Sequence, residues 1–202
     1  MRWISVGLGS LALLAALACQ PQPTRPMLYG PWEEGLTLAY EDPTLPPSQR
    51  RDLRLQIRVA QSRIGPNEPG LVRLEYTSLK GQLSLLVRHG KGGITLLAQD
   101  GRPLAQLLPE GFPATATWTN RGTAFHVIGR AAWDAGTVLP PGSDAVGFWV
   151  EAVPPAGPRS RTLYLPDLGE VETREWRDGA WVTVNRLVAR GFTDLPSAKP
   201  AR

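Results

Sequence analysis

Along residues 36–193, apolar and polar side chains alternate with a period of two rather than 3.6. Leu53, Leu55, Ile57 and Val59 alternate with Asp52, Arg54, Gln56 and Arg58. Those apolar groups share one face only in an extended chain, so the run predicts a half-buried strand. Val72, Leu74 and Tyr76 alternate with Arg73, Glu75 and Thr77. Leu83, Leu85 and Val87 alternate with Gln82, Ser84 and Arg88, Leu86 being the exception. Leu79-Lys80-Gly81 between these two runs predicts a hairpin. Further short runs cover Ile94–Ala98, Thr115–Thr119, Thr123–Ile128, Phe148–Val153 and Thr162–Leu165. Turn signals separate them: Asp100-Gly101, Asn120-Arg121-Gly122 and Pro154-Pro155-Ala156-Gly157-Pro158. The clearest hairpin joins Val171–Trp176 to Trp181–Val188 through Asp178-Gly179, a pair suited to a turn with positive φ.

About nine to eleven antiparallel strands follow from these runs. The fold class expected is all-β: an antiparallel meander forming a strongly curled sheet, half-barrel or barrel, with little helix. Short helices are predicted only near Pro47–Arg51 and Pro103–Leu108. A sheet this long must curl, close or split into two layers. Its core is expected from Leu55, Ile57, Leu74, Tyr76, Leu85, Val87, Trp118, Phe125, Trp149, Tyr164 and Val184.

The N-terminus breaks the pattern. Arg2 precedes an almost wholly apolar stretch, Trp3–Leu17, followed by Ala18 and Cys19. This is the order of a secretory signal, and it is shorter than the ~20 residues a membrane-spanning helix needs. Ala16-Leu17-Ala18-Cys19 resembles the lipobox of bacterial lipoproteins, with Ala16 where that family usually has Leu. The resemblance implies cleavage before Cys19, a diacylglyceryl group on its thiol and an acylated amine. Gln20 stands where Asp would signal inner-membrane retention, which implies the outer membrane in a Gram-negative envelope. A division follows: signal peptide 1–18, lipidated Cys and Pro-rich tether 19–35, one β domain 36–193, and a flexible tail 194–202. Pro21, Pro23, Pro26 and Pro31 stiffen the tether, which at ~3.1 Å per residue reaches roughly 50 Å when extended.

Composition narrows the chemistry. The 202 residues carry Lys+Arg 22 against Asp+Glu 18, a net charge of +4. Only Lys80, Lys91 and Lys199 are lysines, and the densest basic group is Arg50-Arg51 with Arg54 and Arg58. A mild excess without clustering predicts no nucleic-acid partner. One Cys excludes an internal disulfide and a multi-Cys metal cage, and two His leave little for a metal site or a relay. No metal, cofactor or catalytic constellation is expected. Gly90-Lys91-Gly92-Gly93 lacks phosphate-loop spacing and reads as a turn. No Gly-x-Ser-x-Gly occurs. Glu170 and Glu172, with Arg174 two residues on, read as charges sharing one solvated strand face. Trp176 and Trp181 bracket the last hairpin and read as a cross-strand pair.

Two features point to contacts instead. Pro109-Glu110-Gly111-Phe112-Pro113 places Phe112 in a loop stiffened by prolines. Phe112 is the candidate membrane or partner loop if it stands out, and otherwise folds over one mouth of the sheet. Tyr164, Pro166, Gly169 and Val171, followed by the Asp178-Gly179 hairpin, resemble the C-terminal pattern of small bacterial β-sheet envelope lipoproteins. That resemblance implies a fold style and no activity. The expected function is a non-enzymatic, membrane-anchored envelope lipoprotein, tethered by lipid on Cys19 and acting by protein contacts, with envelope proteins or a lipid ligand as candidate partners. The alternative is a lipid or lipoprotein carrier or receptor that holds an acyl chain in a half-barrel cavity.

Overall fold

The structure is a computed structural model, and it describes residues 29–30, 33–52, 55–63, 70–78, 81–90, 92–134, 136, 138–139 and 145–192. The signal peptide, Cys19, the four tether prolines and the tail 194–202 lie outside the described residues. The chain forms β1 (Thr37–Glu41), a short helix α1 (Pro47–Asp52), β2 (Leu55–Arg63), β3 (Gly70–Ser78), β4 (Gly81–Gly90), β5 (Gly93–Leu97) and β6 (Pro103–Pro109). It continues through β7 (Thr117–Asn120), β8 (Thr123–Ala132), β9 (Val146–Val153), β10 (Ser160–Leu165), β11 (Gly169–Arg177) and β12 (Ala180–Gly191).

All twelve strands belong to one antiparallel sheet in the order β6-β5-β4-β3-β2-β1-β12-β11-β10-β9-β8-β7. Every ladder except β1–β12 joins strands that are neighbours in the chain. The sheet curls until β6 and β7 approach, so the barrel is nearly closed. At that seam the Asn120 side-chain amide donates to the Gln106 carbonyl oxygen at 3.4 Å. The β7–β8 and β11–β12 hairpins turn on Arg121-Gly122 and Asp178-Gly179, all four residues with positive φ. Such turns match the twist of the strands they join.

The expected curled meander is the observed fold, with three corrections. Twelve strands replace nine to eleven, because β1 was not foreseen and β6 was expected as a helix. Residues 103–109 form an edge strand, not a helix. Leu107 is exposed and Leu108 buried, the alternation of a strand, and Pro103 sits where an edge strand tolerates a missing N–H. Leu85 and Val184 are half-buried and stand outside the core cluster. Leu85 lies toward the end of the β3–β4 hairpin that rises past the core, where Leu83 is exposed. Val184 is the extra residue of a bulge between Thr183 and Asn185.

The core fills the barrel. Leu38, Tyr40, Val59, Val72, Leu74, Val87, Ile94 and Leu187 are buried in it. Phe112 enters from the loop between β6 and β7 and is 0 % exposed. Its ring meets Tyr29, Tyr164, Phe148 and Trp118 edge-on, with centroids 4.8, 6.0, 6.2 and 6.4 Å away. Phe112 is therefore a plug and not an exposed membrane or partner loop. A ring of this size gains more from burial among aromatic edges than from a projecting loop.

Candidate functional site

Two regions gather chemistry on opposite sides of the same strands. Inside the barrel, beside the Phe112 plug, a partly open cavity of about 190 Å³ remains. Ile57, Leu74, Val87, Ile94, Leu108 and Leu168 form its aliphatic wall. Tyr29, Tyr40, Tyr76, Tyr164 and Glu170 bring polar groups to it. Each tyrosine rides on a different strand or segment, and the curl of the sheet brings them together. Gly147 sets one approach: a side chain there would run into the Tyr164 carbonyl oxygen of the neighbouring strand.

Glu170 faces this cavity because of a bulge. Leu163 pairs with Glu172 but Tyr164 pairs with Glu170, so Val171 is an extra residue on β11. The extra residue resets the alternation and puts Glu170 and Thr173 on the same side. The Thr173 hydroxyl donates to Glu170 Oε1 at 2.5 Å. Burial raises the Glu170 pKa, against hydrogen bonds from Thr173 and Asn185 that lower it. The Tyr40 hydroxyl donates to the Glu170 carbonyl oxygen at 2.7 Å. Burial, then the nearby Glu170 charge, pushes Tyr76 up to about 12 and raises Tyr40 and Tyr164 as well. Among the described residues lining the cavity there is no basic side chain.

The outer side of β9–β12 carries a ladder of arginines and tryptophans. Trp176 and Trp181 face each other across the hairpin, with ring centroids 5.2 Å apart. The Arg161 guanidinium lies 4.1 Å from the Trp181 ring and that of Arg159 lies 5.2 Å from the Trp176 ring. Arg174 lies 4.8 Å from the Trp149 ring. Arg159 and Arg161 each pair with Glu151 at 3.4 Å, and Arg174 Nε donates to Glu172 Oε1 at 2.6 Å. The Thr183 hydroxyl also donates to Glu172 Oε1, at 3.3 Å. Stacking and pairing hold these long side chains in fixed positions on an accessible face.

The expected Trp176–Trp181 pair is present. The shared solvated face for Glu170 and Glu172 is not: the bulge separates them, and only Glu172 meets Arg174. His126 is exposed on β8, and His89 is buried on β4, where desolvation lowers its pKa. Among the described residues, no group of three or more His, Cys, Asp or Glu is placed to hold a metal ion. The Glu170–tyrosine cluster was missed in the sequence, since no local spacing links Tyr40, Tyr76 and Tyr164.

The class defined by these residues is a nearly closed, twelve-stranded antiparallel barrel plugged by an aromatic loop. No family model and no curated protein matches the chain. Solved structures resemble it in outline. One, described as an exported protein with a YmcC-like fold from Bacteroides fragilis, superposes with a TM-score of 0.45 at 15 % identity. The match covers 82 % of this chain and 99 % of that one. Another, described as a lipoprotein from Parabacteroides distasonis, gives a TM-score of 0.45 at 12 % identity over the same shares of the two chains, 82 % and 99 %.

Proposed function

We propose that the chain is a non-enzymatic envelope lipoprotein, anchored by lipid on Cys19, which acts through protein contacts on the outer face of β9–β12. The Arg–Trp ladder is the observation that supports this reading best. Arginine and tryptophan are the residues most enriched where binding energy concentrates in protein interfaces. Here they are held in place before any partner arrives, which lowers the ordering cost of association. The signal-like run ending in Ala18-Cys19 supports the anchor, and two or more acyl chains make such attachment stable. Gln20 supports the outer membrane of a Gram-negative envelope as the destination.

Acyl-chain carriage draws less support. Phe112 already occupies the barrel, and the remaining space of about 190 Å³ falls below the roughly 300–1,000 Å³ of ordinary ligand pockets.

Two experiments test the two halves of the proposal. Cys19→Ser should move the protein out of the membrane fraction; retention of a processed, unacylated chain there would overturn lipid anchoring. A photo-crosslinking benzoylphenylalanine in place of Trp181 should give a discrete protein adduct in intact cells. The same group in place of Leu83, exposed on β4, should not. Identical adducts from both positions, or none from Trp181, would remove the ladder as the contact surface.

A further inference from the structure

The internal cavity is the feature that the contact reading leaves unexplained. Its polar end is chemically one-sided. Glu170 stands half-buried there, and the Thr173 hydroxyl donates to its carboxyl group. That donor favours the charged form, while desolvation opposes it and raises the carboxyl pKa. Yet among the described residues lining the cavity there is no Lys, Arg or His to balance that charge. A buried carboxylate without a cation is expensive, so protein interiors usually supply one. Around it stand four tyrosines, Tyr29, Tyr40, Tyr76 and Tyr164, whose ring systems attract cations. Tyr76 and Tyr164 both belong to the cavity lining and stand close enough to Glu170 for its charge to raise their pKa values. The remaining wall is aliphatic.

We propose that this cavity binds a small organic ammonium ion, with the charged nitrogen against Glu170 among the tyrosines and the carbon body along Ile57, Leu74 and Leu108. An anion is disfavoured by the carboxyl group, with no basic side chain among the described lining residues to offset it. A purely apolar guest would leave the carboxyl group without a counter-charge. The size is suitable. A cavity of roughly 150 Å³ takes up benzene, and this one, at about 190 Å³, has room for a branched alkylamine or a tetraalkylammonium with short arms. This assignment does not depend on lipidation or on the outer ladder.

The test is a charge series of near-isosteres: tert-butylammonium, tert-butanol and pivalate. Each is titrated calorimetrically into the mature protein in a mild non-ionic detergent. The ammonium ion should bind at least about tenfold more tightly than the alcohol, since a desolvated cation–π contact alone contributes that much. Pivalate should give no heat of binding. Equal or tighter binding of tert-butanol or pivalate would overturn the proposal in favour of a neutral or hydrogen-bond-accepting ligand. No binding of the ammonium ion at millimolar concentration would also overturn it and leave water as the occupant. Glu170→Gln should abolish the preference for charge while keeping the shape of the site. Should that variant fail to fold, Tyr76→Leu removes one ring and should weaken the ammonium ion selectively. Undiminished selectivity in whichever variant folds would count against the site as drawn.

Discussion

Glu170 and Glu172 stand on one strand with a single residue between them, and their surroundings are opposite. Glu172 points outward and is nearly covered, yet Arg174 and Thr183 satisfy it, with the arginine half in water. Glu170 points inward toward tyrosines and aliphatic groups, with neutral donors as its hydrogen-bond partners. In a regular strand, residues two apart share a face. The bulge at Val171 cancels that rule once, and one inserted residue separates an ion pair from an uncompensated carboxyl group. The outer face carries the proposed contact surface, and the inner one the proposed guest site.

The contrast can be broken most forcefully at the plug. Phe112→Ala should lower unfolding free energy by about 3–5 kcal/mol, as for other buried phenylalanines, and enlarge the inner cavity. Urea denaturation reads this directly. A loss below about 1 kcal/mol would mean that the loop is not part of the core.

The two glutamates come next. Glu172→Gln should destabilise by roughly 1 kcal/mol, since the Arg174 guanidinium is partly hydrated and the pair is screened. Glu170→Gln should do the reverse at neutral pH. The raised Glu170 pKa means that the folded protein holds this proton more tightly than the unfolded chain does. Its contribution is fully present below the ordinary value of 4.5 and is lost as pH rises through the folded value. The variant should therefore match the wild type near pH 4 and exceed its melting temperature at pH 8. Parallel melting curves for the two proteins across that range would show that Glu170 is not desolvated. The smallest effect belongs to the ladder: Arg161→Ala should cost no more than about 1 kcal/mol, the scale of an accessible cation–π contact. A larger loss would make the outer face part of the folding core.

Most strands were legible because local chemistry and tertiary context agree. The period of two survives in β2, β3 and β4, and the Asn120-Arg121-Gly122 and Asp178-Gly179 signals mark turns that form where expected. β1 was overlooked although Leu36, Leu38 and Tyr40 alternate with Thr37, Ala39 and Glu41, because the run is short and next to the Pro-rich segment. It lies between β2 and β12, covered on both sides, and one of those partners is distant in the chain. β6 was misread because Pro103 before Leu104, Leu107 and Leu108 suits a helix start as well as an edge strand; pairing with β5 decides. Glu170 could not be placed, because the insertion that turns it inward has no signature in residues 168–173 alone. For Phe112, the reading in which it folds over one mouth of the sheet anticipated the geometry in kind, though not the aromatic cluster that receives it.

The strand order has a consequence for how the molecule assembles. Read from β7 through β12 and on through β1 to β6, the order in space is a simple meander in which each strand lies beside the next. The natural chain is that meander rotated by half its length. Ten of its eleven ladders can zip from hairpins as soon as both strands exist. The remaining one, between Thr37–Glu41 and the far end of β12, must wait for the whole domain to be synthesised. Two half-sheets of six strands can thus form early by local pairing. Joining the two halves into one sheet is left to a single late, entropically costly contact between the first strand and the last.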